Sequence, residues 1–144
     1  MPAHNERIRY GVIRSEEPEI EFREGTRYEV SEMIRSVVGP HEVVCDERER
    51  WAIFVSSTGA VSVNPLNRIA SVIAMVGIFG PTVVVGYDSS DEFINARSLT
   101  PKDVKILSDV ARGSRFYDLR VEPDGTLSIL SGGVPLPKRK RRDR

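Results

Sequence analysis

The chain has 144 residues, of which 40% are hydrophobic and 29% charged: enough for one domain with a real core, too little for two ordinary ones. Its 21 basic and 21 acidic side chains cancel, but residues 138–144 hold six basic groups against one acid, so the remainder is acidic by five charges. That polarity excludes a uniformly basic nucleic-acid coat, the lone Cys45 excludes an intramolecular disulfide scaffold, and Cys45 with His4 and His41 falls short of an ordinary zinc ligand set.

Met1 to Tyr10 has no apolar run of the secretory kind, so a cytoplasmic location is expected. Residues 8–14 suggest a first strand and 19–22 its partner, across a turn at 15–18. Thr26 and Glu29 stand at capping-box spacing, and Val30, Met33, Ile34, Val37 and Val38 follow as one apolar helical face that Gly39 and Pro40 stop. Residues 42–46 and 51–56 read as a hairpin around the charged turn 47–50. Ser57, Thr58 and Gly59 form a turn, and 60–63 a short strand after it.

Asn64 followed by Pro65 predicts a helix start, cap and then first-turn proline, with Leu66, Ile69, Ala70, Ile73 and Ala74 buried and Gly77 ending it. Residues 82–87 read as a strand buried on both faces. The run 69–87 carries no charge and is long enough to span a bilayer, but Gly77, Gly80 and Pro81 divide it into helix, turn and strand, which a membrane does not tolerate. Residues 92–97 continue or return from that strand. Thr100 and Pro101 start a helix with Asp103 in its first turn, Val104, Leu107 and Ala111 on its face, and Gly113 at its end. Residues 117–122 and 126–130 predict a terminal hairpin around Pro123, Asp124 and Gly125. Residues 131–137 have linker composition, and the basic tail beyond them is expected to be disordered. The expected fold is therefore a single α+β domain over 1–130, with a mixed sheet of short strands, about three helices and a C-terminal β-hairpin.

Four segments in order carry a family resemblance. They are Ile53–Val55 with Ser57-Thr58-Gly59, then Pro65-Leu66-Asn67-Arg68-Ile69-Ala70, then Gly80-Pro81-Thr82-Val83-Val84-Val85-Gly86, then Ser98-Leu99-Thr100-Pro101-Lys102-Asp103. Over about residues 40–107 the chain resembles a small domain family of unknown function found in bacteriophages, plasmids and some bacterial genomes. It departs where Ser57 replaces the usual acidic turn residue and where Pro81 follows Gly80. The resemblance implies a phage or mobile-element accessory protein and brings no catalytic residues with it.

No nucleophile–base pair stands out, so no catalytic residue is assigned and the chain reads as a non-enzyme; a hydrolase or transferase is the least favoured class. Cys45, within Val43-Val44-Cys45, reads as a buried thiol. Asp88, Asp91 and Glu92 lack the calcium-loop pattern, so neither a metal site nor a cofactor is expected. Asn64, Asn67 and Arg68 are the candidate ligand- or partner-binding group, since a helix start favours an anion such as a phosphate, though capping explains the same residues. Lys138, Arg139, Lys140, Arg141 and Arg142 are the candidate contact for nucleic acid or an acidic partner, weak and salt-sensitive at this charge. The leading expectation is a non-enzymatic accessory protein that binds a host or phage macromolecule. The alternatives are a small-ligand or nucleotide-sequestering protein and weak nucleic-acid binding through the tail. A membrane partner is disfavoured, and a homo-oligomer is left open.

Overall fold

Two hairpins and one late strand make the main sheet of the computed structural model, which describes residues 6–46, 48, 50–57, 65–88 and 95–130. The first hairpin joins β1 (Arg7–Ile13) to β2 (Glu21–Thr26). Arg9–Glu24 and Arg14–Glu21 ion pairs, each 2.8 Å, lie across it. Charges of this kind on an outer strand discourage edge-to-edge association. The second hairpin joins β3 (His41–Cys45) to β4 (Trp51–Ser56). Its turn is organised by buried Asp46, whose Oδ1 accepts from the backbone N–H groups of Arg50 (2.6 Å) and Trp51 (2.8 Å). The expected charged turn is thus built by the residue just before it; Glu47 and Glu49 lie outside the described residues.

β5 (Thr82–Asp88) lies between the hairpins, giving the order β2-β1-β5-β4-β3, and β6 (Asn95–Arg97) returns along it. β1 covers Thr82–Val84, and β6 takes over the same side at Gly86–Asp88. Every described pairing is antiparallel, so the sheet is not mixed as expected. β5 runs against both strands it separates, so no parallel neighbour arises.

Helices cover both faces. Between the hairpins runs α1 (Arg27–Val37), opened by the Thr26/Glu29 capping box that the spacing predicted. It packs Val30 and Ile34 against Ile8, Tyr10, Val12, Ala52, Val83 and Val85. On the opposite face, α2 (Arg68–Ala74) and α3 (Pro101–Ser114) pack with Ile13, Trp51, Ile53 and Val84. Alternation along β5 therefore feeds two cores, and Val83, Val84 and Val85 are all fully buried. Each such valine contributes about 1.5–3 kcal/mol of burial. The uncharged run 69–87 is a helix, a turn and a strand, and no helix among the described residues is long and apolar enough to cross a membrane.

The start of α2 differs from expectation. The cap is Asn67, not Asn64, which lies outside the described residues. Pro65 and Leu66 belong to an extended segment: Leu66 bridges Phe79, and the Pro65 carbonyl accepts from the Gly80 N–H at 3.0 Å. The end differs too. Met75 closes α2 in the left-handed conformation (φ 61°), while Gly77 makes room for the terminal hairpin. That hairpin pairs β7 (Asp118–Val121) with β8 (Leu127–Leu130), as predicted. A Cβ on Gly77 would meet Val121 Cγ1 at 2.6 Å, and the Gly77 N–H donates to the Gly125 carbonyl at 2.8 Å. α3 opens with the Thr100/Asp103 box and runs one residue past Gly113, its expected end. The expected strand 60–63, the linker and the tail lie outside the described residues.

Candidate functional site

Asn67 and Arg68, two of the three residues expected to hold a ligand at a helix start, turn inward. Asn67 is fully buried. Its Nδ2 donates to the carbonyls of Ile13 and Gly80, both at 2.9 Å, and its Oδ1 accepts from the Ala70 N–H at 3.1 Å. Both amide hydrogens are thereby used, and no surface is left for a ligand to touch. The side chain fastens the end of β1, the turn before β5 and the first turn of α2 together. Arg68 Nη2 donates to the carbonyls of Ser114 (3.1 Å) and Tyr117, holding the end of α3. Asn67 thus serves as the cap of α2, the structural role that the sequence also offered for it, on a helix of only seven residues. Lys138, Arg139, Lys140, Arg141, Arg142, His4, Asp91 and Glu92 lie outside the described residues, as does the Asp88 side chain.

Residues of the family-like segments recur at joints of the fold. Gly80 has φ 89°, a left-handed conformation open to glycine. At Gly86 a Cβ would stand 2.6 Å from Arg97 Nη1, so glycine lets Arg97 lie across the sheet. Arg97 in turn bonds Asp103 at 3.0 Å. Ser98 Oγ accepts from the Arg9 N–H at 2.8 Å, and Leu99 is buried. Burial pushes the Asp103 carboxyl up, but the Thr100 backbone N–H at 2.9 Å and the Arg97 guanidinium at 3.0 Å outweigh it and hold the group below the ordinary aspartate value. These contacts give the segments structural work and leave the ligand question to other surfaces.

Cys45 is half-buried at the end of β3, opposite Ala52, rather than fully buried. His41, exposed at the start of β3, has Nδ1 2.9 Å from the Gly39 carbonyl and its ring edge-on to Phe54, with centroids 5.4 Å apart. A carbonyl only accepts, so Nδ1 carries the hydrogen. Among the described residues no group of three or more His, Cys, Asp or Glu side chains is placed to hold a metal.

A concavity of about 780 Å³ runs between α1 and the sheet. Its lining includes Ile8, Val30, Ile34 and Val85, which are themselves buried, and the half-buried Phe54 and Ala96. Two rows of α1 explain it. Val30 and Ile34 face the sheet, while Arg27, Ser31 and Arg35, at i, i+4 and i+8, stand beside them along the opening. Eight residues of helix set the two arginines about 12 Å apart along the axis. Gly39, Pro40 and His41 close one end. Among the described residues the lining holds two arginines and a histidine and no carboxylate. Each arginine has an acidic neighbour outside the lining, Arg27 with Glu6 at 3.6 Å and Arg35 with Glu32 at 2.6 Å. Such exposed pairs are weak and exchange readily with solvent or ligand.

The groove was not read from the sequence. The polar row 27, 31, 35 is visible there as helical spacing, but the concavity beside it depends on where five separate strands come together. No protein-family model, curated protein or solved structure matches the chain.

Proposed function

We propose that this chain is a non-enzymatic binding protein, of the accessory kind that the phage-family resemblance implies, and that its binding surface is the groove between α1 and the sheet. The observation that carries the reading is the groove itself: about 780 Å³, within the volume range of ligand pockets, with a mainly apolar lining to which Arg27, Ser31, Arg35 and His41 bring polar groups. That lining suits binding better than bond-making chemistry, which places acid, base and nucleophile within reach of one another. The phosphate site expected at Asn64–Arg68 gives way to this surface because Asn67 is spent inside the fold.

Ser31 is exposed and lines the groove, so Ser31→Trp fills it without removing a core side chain. Tagged wild-type and Ser31→Trp proteins, matched for folding by circular dichroism, are compared by quantitative mass spectrometry for retained proteins and small molecules. A partner or ligand held by the wild type and lost from the variant is expected. Equal recovery by both overturns the reading.

A further inference from the structure

We infer that β3 is an interaction edge, and that the strand it takes is the β3 of a second copy of this chain, antiparallel to it and related by a two-fold axis near Val43.

The main sheet ends on β2 at one side and on β3 at the other, and the two ends are unlike. Along β2, Glu21, Arg23 and Glu24 are charged, and Arg9 and Arg14 lean on that row from β1. β3 has no such guard. After Glu42 come Val43, Val44 and Cys45, all half-buried, and the strand contains no lysine, arginine or proline. The hydrogen bonds to β4 show which backbone groups are left over. The Ser57 N–H donates to the Pro40 carbonyl at 2.9 Å, and the Asp46 N–H to the Trp51 carbonyl at 3.4 Å. Pro40 and Asp46 therefore face β4, and at the same two-residue period so do Glu42 and Val44. His41 and Val43 turn their N–H and C=O groups the other way, where no described strand pairs with them. Those are the groups an added strand bonds. Val43 packs on the core under α1 and Val44 on the core under α2 and α3, so a further strand extends both cores.

Charge selects the occupant. Glu42 is exposed near the start of β3 and Arg48 just past its end, and among the described residues neither stands in an ion pair. Asp46, between them, is already taken by Arg50 at 3.2 Å. Antiparallel pairing about Val43 lays the start of one strand along the end of the other and carries each Glu42 toward the Arg48 of the second copy. The two-fold axis makes that match twice. Parallel pairing would set Glu42 beside Glu42. The edge is thus complementary to itself, and because β2 is guarded the assembly closes at two copies. A five-residue strand gives an interface below the standard size, so the dimer is reversible.

Sedimentation velocity on the full chain, from micromolar to millimolar concentration, tests this, with amide exchange followed on the same samples. A monomer–dimer equilibrium is expected, with the Val43 amide exchanging severalfold more slowly at the highest concentration and the Val44 amide, already bonded to β4, unchanged. Val43→Pro deletes an outward N–H and keeps the bonds to β4, so it is expected to give a monomer with the circular dichroism spectrum of the wild type. Glu42→Arg is expected to weaken the dimer severalfold, and Glu42→Arg combined with Arg48→Glu to restore it; this pair decides the matter if Val43→Pro does not fold. A monomer at every concentration, a dimer that a folded Val43→Pro leaves intact, or a Glu42→Arg defect that Arg48→Glu does not rescue overturns the inference. Growth beyond the dimer also overturns it, since that requires a second open edge.

Discussion

Asn67 shows how much of this fold hangs on single polar side chains. Its amide satisfies two buried carbonyls from different strand ends and caps a helix as well. Asn67→Ala strands those carbonyls, and a loss of about 3 kcal/mol is expected in urea unfolding. Asn67→Asp keeps the cap but sets a carboxylate against two carbonyl oxygens, so it is expected to cost at least as much. A urea midpoint for Asn67→Asp near that of the wild type would contradict this account. Asn64 and Asn67 both suit a helix cap, and only residues distant in sequence, Ile13 and Gly80, select between them. That is why local pattern placed the helix start at the first asparagine. Asp46 escaped notice for a related reason: a lone aspartate before a charged run shows nothing of the backbone N–H groups it gathers when the turn closes.

Among the elements, α1 and α3 were legible because each announces itself within four residues, α1 by Thr26 and Glu29 at capping-box spacing and α3 by Thr100, Pro101 and the first-turn acid Asp103. The α3 box also brings a pH dependence. The folded Asp103 carboxyl lies below its unfolded value of about 3.9, so its contribution is present above that pH and is lost as pH falls through the lower folded value. The urea midpoint is therefore expected to drop on acidification below about pH 4, and to drop less in Asp103→Asn, which keeps an acceptor at the cap. The terminal hairpin was legible from its turn, but its seat was not. Gly77 looks like a helix stop, and its contact with Val121 belongs to a chain segment more than forty residues later. Gly77→Ala is expected to lift the hairpin from the residues after α2. Amide exchange should then speed in β7 and β8 and stay unchanged in β4 and β5. Uniform acceleration throughout the chain would show that the hairpin is instead integral to the main core.

At the scale of the whole molecule, β5 divides the interior into two cores, one under α1 and one under α2 and α3. The α+β class and the double burial of β5 were legible, because a short, uninterrupted apolar run between turn residues suits a strand covered on both faces. The antiparallel sense of every pairing and the groove beside α1 were not, since both depend on how separate hairpins are assembled. The position of β5 also matters while the chain is being made. Both hairpins emerge from the ribosome before it, yet each finds its central neighbour only when residues 82–88 appear. Until then Gly11 and Ile53 both wait for Val84, and the edges of β1 and β4 that β5 will pair stand open. Such exposed strand edges are prone to stray pairing. Synthesis of the first eighty or so residues is thus a vulnerable interval, and it ends with the arrival of one strand.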